Sequence, residues 1–322
     1  MAQNEKQAAK RKSRAARREA EEAAEKAAQE QAAKERKQQT IIGAIVVFVI
    51  VALVAVIGVV IYRNIKATQE ANISVSEAYS RLQSVSDKPS TADDKGGFLM
   101  SKNGYNTSVD GAPTVAVYMD PMCPGCGNFN RTTDATLISM MNAGQINLEI
   151  YPMSFMDRYS TDEYSSRVSG AIAYIASHDS NPDHLLNFIS NIYAEDFQPS
   201  ESSYKAVSDD AIIEQATKAG VSEDIAKSAM NREYQDWLDA INVYTPKREE
   251  LWNTSGSSAG SMTTPAVTIN GTIINTSDMN TAQMGWKDAV LASIGLEESQ
   301  VGQSTMPSIG STGKPISLTT GQ

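Results

Sequence analysis

The stretch Thr114-Val115-Ala116-Val117-Tyr118-Met119-Asp120-Pro121-Met122-Cys123-Pro124-Gly125-Cys126 decides how the rest of the chain is read. Cys123 and Cys126 are the only two cysteines in 322 residues, with Pro124 and Gly125 between them. Five of the six residues from Thr114 to Met119 are apolar or aromatic, the pattern of a strand buried on both faces. Gly127 to Asn142 has helical composition, and Gly144 stands where a C-cap belongs. The pair is therefore placed at a strand-to-helix turn, on the first turn of a helix. Unpaired N–H groups and the positive dipole end favour an anion there. A thiolate is an anion, so the thiol pKa should fall and its reactivity rise.

Other uses of the pair fit less well. A zinc site needs about four ligands, and the only histidines, His178 and His184, lie in a separate region. No metal is expected. A purely structural disulfide closing so short a loop removes little unfolded-state entropy. A redox pair is the reading that uses the position.

A second stretch is Thr263-Thr264-Pro265-Ala266-Val267-Thr268-Ile269-Asn270-Gly271-Thr272-Ile273-Ile274. It reads as a Thr-Pro opening a strand, followed by an Asn-Gly hairpin turn. Ile146-Asn147-Leu148-Glu149-Ile150 alternates and gives a further strand. A right-handed crossover makes it parallel to the first. Strand, Cys-x-x-Cys helix, strand, Thr-Pro hairpin and terminal helix resemble the α/β thioredoxin-like fold. More closely, the chain resembles DsbA-type thiol–disulfide oxidoreductases, in particular membrane-anchored forms from Gram-positive bacteria. The resemblance covers about 111–295.

That resemblance implies that Cys123 and Cys126 are the redox-active, catalytic pair. It implies that Pro124 and Gly125 are the active-site dipeptide, and that Thr264-Pro265 is a cis-proline loop that packs against the pair and binds substrate backbone. It also implies a helical insertion, about 156–255, between the second strand and the hairpin. Val168, Ile172 and Ile175 share one helical face there, Pro182 sits at a helix start, and Ser208 and Ser222 are N-cap candidates. Tyr234, Trp237, Leu238 and Ile241 form a broad apolar stripe suited to a core. The last helix is expected over about 281–294.

By position on the helix, Cys123 is expected to be the exposed nucleophile and leaving group, and Cys126 the shielded resolving thiol. Strand 114–119 carries no acid, so Asp120 is the nearest carboxyl and is read as a turn residue before a proton-transfer group.

The N-terminal part sets location. Residues 1–40 carry 11 Lys/Arg against 7 Asp/Glu and no apolar stripe, which describes a solvated charged tail. Lys10-Arg11-Lys12 and Arg17-Arg18 could meet nucleic acid, but interleaved Glu19, Glu21 and Glu22 argue against it. Ile41 to Tyr62 contains no charged residue and is long enough for a hydrocarbon core of about 30 Å. It reads as one uncleaved transmembrane helix. The basic tail puts the N-terminus in the cytoplasm, and a redox pair belongs outside, where disulfides persist.

Residues 63–110 read as an extracytoplasmic linker with a helix near Ala71–Leu82, and 296–322, rich in Ser, Gly, Thr and Pro, as a disordered tail. Residues 63–322 are acidic, 17 Lys/Arg against 31 Asp/Glu, which speaks against nucleic acid as their partner.

The expectation is an extracytoplasmic enzyme that introduces disulfides into secreted or surface proteins with free cysteines. It would need no cofactor and would be reoxidised by a membrane partner, expected to be quinone-linked. The alternatives are a thioredoxin-like reductase or isomerase, and a redox-inert anchored binding or chaperone module. The long helical insertion weighs against the reductase, and the intact Cys-x-x-Cys with Thr-Pro weighs against the inert module.

Overall fold

The computed structural model describes Glu70 and residues 72–319. The charged tail 1–40 and the apolar run 41–62 lie outside the described residues. Among the described residues no helix is long and apolar enough to cross a membrane. The fold that follows is that of the unit beginning at Ile73.

Strand β3 (Thr114–Met119) is central. Val115, Val117 and Met119 bury towards one face and Ala116 and Tyr118 towards the other, which is why its sequence shows no polar alternation. Helix α2 (Pro124–Ala143) crosses to β4 (Asn147–Pro152), which pairs in parallel with β3 from Thr114↔Asn147 to Met119↔Pro152. Gly144 ends α2 at φ 76°, with its N–H bonded back to Met140 and Met141. On the other side β3 pairs antiparallel with β5 (Ala266–Ile269), and β5 turns through Asn270 (φ 48°) and Gly271 (φ 80°) into β6 (Thr272–Ile273). Positive φ at both turn residues is what Asn-Gly supplies.

Between β4 and β5 lies the helical insertion. It comprises α3 (Tyr164–His178), α4 (Pro182–Ile192), α5 (Asp209–Lys218), α6 (Glu223–Ser228) and α7 (Gln235–Tyr244), with short 3₁₀ turns between. Pro182 opens α4 behind the Asn181 cap, and the Ser208 and Ser222 hydroxyls cap α5 and α6. Trp237, Leu238 and Ile241 are buried core, as their spacing predicts.

Three expectations need correction. The described part of 63–110 is not merely a linker. Helix α1 (Val75–Ser84) buries Ala78 and Leu82 and packs on α7, while β1 (Phe98–Ser101) and β2 (Gly104–Tyr105) extend the sheet to the order β2-β1-β4-β3-β5-β6. The few large apolar residues of this segment are concentrated: Phe98 and Met100 are fully buried against β4.

The described part of the 296–322 tail is not disordered either. Gln145 donates to the Gln300 and Thr305 carbonyls, Asn270 donates to those of Gly310 and Gly313, and the Ile316 N–H donates to Ser293. These hydrogen bonds hold it, together with Leu296, Val301, Ile309 and Leu318, which pack on the core.

The terminal helix is two helices, α8 (Thr276–Ala282) and α9 (Trp286–Ile294). They are separated by Gln283 at φ 54° and Gly285 as the α9 N-cap. Trp286 meets Phe129 of α2 edge-on, with ring centroids 5.5 Å apart.

Candidate active site

The turn after β3 is built by Asp120 and Pro121. The Asp120 carbonyl accepts from Cys123 N–H at 3.0 Å, and its Oδ1 accepts from Met122 N–H at 2.9 Å, an Asx turn. Cys123 is the N-cap of α2 in extended conformation, and Pro124 fills N1, where no amide donor is needed. Pro124 and Gly125 are exposed at the tip.

Both cysteines are free thiols. Cys126 is 1% exposed and Cys123 8%. Cys123 is thus the more accessible sulfur, as its place on the helix predicts, but it is recessed rather than openly exposed, because the Thr264–Pro265 loop covers it. Its Sγ lies 3.3 Å from the Thr264 carbonyl oxygen. The Thr264–Pro265 bond is cis. Gly125 permits the approach: a Cβ there would stand 3.1 Å from Pro265 Cδ and 3.7 Å from both Cys123 Sγ and the Thr264 oxygen. The fold therefore brings all six sequence-predicted residues, Cys123, Pro124, Gly125, Cys126, Thr264 and Pro265, into one site.

The two thiols are electrostatically unequal. A hydrogen bond from the Cys126 thiol, one with the Thr264 side chain, and the N–H groups of Cys126 and Gly125 hold Cys123 down at about 6, against the effect of its burial. The S–H of Cys123 can donate to the Thr264 carbonyl, which favours the thiol, but the donors facing the sulfur prevail. Cys126 is pushed well above the ordinary thiol range, first by burial and then by its bond to the Cys123 sulfur. Its Sγ accepts one backbone bond, from Asp120 N–H at 3.4 Å.

Asp120 is both the expected turn residue and a buried titratable group, 0% exposed. Its carboxyl accepts from Ser165 Oγ at 2.7 Å and Met156 N–H at 2.9 Å as well as from Met122. Burial nonetheless raises it to about 7.

Sequence reasoning missed Ser165, Met156 and Gln198, whose amide Nε2 donates to the Pro121 and Cys123 carbonyls. All three come from the helical insertion or the chain leading into it, and no local pattern announces them.

Among the described residues no cluster of three or more metal-ligating side chains forms. His184 bonds Asp179 and His178 stacks on Tyr174.

A parallel β3-α2-β4 unit, an antiparallel hairpin opened by a cis-proline, and a dithiol on the first turn of the crossover helix define a thioredoxin-like fold with a helical insertion. The family model described as Thioredoxin matches residues 108–285, more than half of the chain, and the chain belongs to that family.

Among curated proteins, the serine/threonine-protein kinase PknE of Mycobacterium tuberculosis is 26% identical over 90 residues. That alignment covers 28% of this chain and 16% of the relative's length. Reduced DsbA from Mycobacterium tuberculosis is 21% identical, with a TM-score of 0.45, over 56% of this chain and 84% of that one. MdbA, a thiol-disulfide oxidoreductase from Corynebacterium matruchotii, is 21% identical, with a TM-score of 0.44, over 62% and 94%. Reduced DsbG from Mycobacterium tuberculosis is 23% identical, with a TM-score of 0.43, over 55% and 78%. Likenesses at these levels assign no activity to the chain.

Proposed function

We propose that the chain is an extracytoplasmic thiol–disulfide oxidoreductase that introduces disulfides into secreted or surface proteins. The observation that carries this reading is the geometry of the dithiol: Cys123 at the N-cap of α2, its Sγ 3.3 Å from the Thr264 carbonyl of the cis-proline loop, and Cys126 enclosed one turn in. This inequality of environment lowers the Cys123 pKa and raises that of Cys126.

The chemistry follows from that inequality. With the pair oxidised, a substrate thiolate attacks Cys123 Sγ, the Cys123–Cys126 bond breaks, and the Cys126 thiolate leaves and takes up a proton. Buried Asp120, poised near neutrality beside Cys126, is placed to supply it. The substrate's second thiolate then attacks the substrate sulfur of the mixed disulfide and expels Cys123. Two electrons pass from the substrate dithiol to the enzyme pair. Cys126 ends protonated, and Cys123 leaves as a thiolate that stays ionised at neutral pH. A leaving group of low pKa makes this direction favourable. Thr264 and Pro265, against Cys123, are the residues that would meet substrate backbone.

The location part of the reading is supported by the charge-free run 41–62 behind a basic tail. Turnover needs a membrane reoxidant that accepts the two electrons, and a quinone-linked protein fits that chemistry. The direct test is oxidation of a reduced dithiol peptide by stoichiometric oxidised protein. Formation of the peptide disulfide with matching appearance of enzyme thiols supports the reading. Peptide that stays reduced in the presence of an intact enzyme disulfide refutes it.

A further inference from the structure

The segment between α4 and α5 reaches back to the dithiol turn through one side chain. Gln198 Nε2 donates to the Pro121 carbonyl at 3.1 Å and to the Cys123 carbonyl at 3.0 Å. Gln198 Oε1 accepts from Arg131 Nη1 at 3.3 Å, and the same nitrogen donates to the Tyr193 carbonyl, at the end of α4, at 2.7 Å. The Pro121–Met122 peptide is thereby gripped at both ends. Gln198 holds its oxygen, and Asp120 Oδ1 accepts from its N–H at 2.9 Å. Gly127 makes room for the amide, because a Cβ there would overlap Gln198 Oε1.

We infer that Gln198, polarised by Arg131, is a positioning residue through which the helical insertion sets the thiolate character of Cys123. The inference rests on the oxidoreductase reading of the same site.

The Cys123 carbonyl is the first acceptor of α2 and takes Gly127 N–H at 3.1 Å. Its negative end belongs to the residue that must carry a thiolate. A second donor offsets that partial charge and fixes the N-cap backbone so that the Gly125 and Cys126 amides face Sγ. The Arg131 guanidinium on Oε1 strengthens the opposite N–H donors of the same amide. The side-chain hydrogen bonds of Gln198 go to the Pro121 and Cys123 carbonyls and Arg131, so it acts on the Cys123 sulfur through the backbone of the turn.

The test uses the full chain and two readouts, the Cys123 thiolate titration followed by ultraviolet absorbance and the equilibrium with glutathione. Gln198→Ala should raise the Cys123 pKa and shift the glutathione equilibrium towards the enzyme disulfide by about threefold or more, about 14 mV. Gln198→Glu, which removes the donors and adds a negative charge, should move both further. Gly127→Ala should act like Gln198→Ala although Gln198 is still present, since it drives the amide off. Arg131→Ala should give a smaller shift and add nothing to Gln198→Ala in the double variant. Ser202→Ala, on the same segment, should change neither readout. Should Gln198→Ala fail to fold, Gly127→Ala and Arg131→Ala test the same role by the same two readouts.

A wild-type Cys123 that titrates low while the variants leave both readouts unmoved overturns the role of Gln198 and leaves the oxidoreductase reading standing. A wild-type thiol at its ordinary value of about 8.5 overturns both.

Discussion

The backbone N–H of Asp120 points at the sulfur of Cys126 from 3.4 Å, while the carboxyl of the same residue is fully buried in the turn. One residue thus supplies both a fixed donor to the resolving thiol and a charge that appears near neutrality.

This coupling predicts a pH-dependent effect of Asp120→Asn. The folded carboxyl is raised to about 7, chiefly by burial. Below about pH 6 it is protonated, and the variant should resemble wild type. Above pH 7 it is ionised and opposes the nearby Cys123 thiolate, which disfavours the reduced pair. Removing the charge should lower the Cys123 pKa by on the order of half a unit to one unit and make the pair more oxidising there. Potentials measured across pH 5–9 check this. A difference that is constant with pH would contradict the coupling.

A second pH prediction concerns stability. Glu149 on β4 is raised to about 7 by burial and then by Asp93. Its folded pKa lies above its unfolded value of about 4.3. The stability it contributes is therefore fully present below about pH 4 and is lost as pH rises through 7. Glu149→Gln should gain stability relative to wild type between pH 5 and pH 8, on the order of 1–2 kcal/mol. Urea denaturation at the two pH values reads the difference. An equal ΔΔG at both would show that Glu149 is not held near neutrality.

Gly125 and Pro265 predict a steric result. A methyl at 125 would stand 3.1 Å from Pro265 Cδ, closer than comfortable packing. Gly125→Ala should slow dithiol oxidation several-fold while the protein stays folded, and Gly125→Val should do so much more severely. An undiminished rate for Gly125→Val would mean that the loop is free to move aside.

The unequal thiols predict unequal trapping. Cys126→Ser should accumulate mixed disulfides with substrate proteins, because Cys123 still exchanges and nothing resolves the product. Cys123→Ser should trap far fewer and lose dithiol oxidation. Alkylation at mildly acidic pH should label Cys123 first, and faster labelling of Cys126 would reverse the roles.

The parts of this fold carried by local signals were legible in the chain: the buried strand 114–119, the Gly144 stop, the Ser208 and Ser222 caps and the Asn270-Gly271 turn. The dithiol and the Thr264–Pro265 loop were legible as a pair of motifs. What escaped depends on partners distant in sequence. Asp-Pro announces a turn, but only Ser165 and Met156 show that the Asp120 carboxyl is enclosed. Gln198 sits in a polar loop whose composition says nothing of the carbonyls that it holds. The 296–319 segment looks disordered by composition because its order comes from the distant Gln145 and Asn270 amides and from a few scattered apolar residues such as Val301 and Ile309. β1 was hidden because it is only four residues long and lies in a segment otherwise rich in Ser, Asp, Lys and Gly, although Phe98 and Met100 are both fully buried.

The reduction potential of the Cys123–Cys126 pair, measured against a glutathione buffer at neutral pH, tests the central claim most directly. A Cys123 thiolate stabilised at about 6 favours the reduced pair. The expected potential lies well above the thioredoxin value of about −270 mV, in the range of about −200 to −120 mV occupied by protein oxidants. A potential at or below about −270 mV would contradict the oxidase reading and make the protein a reductase.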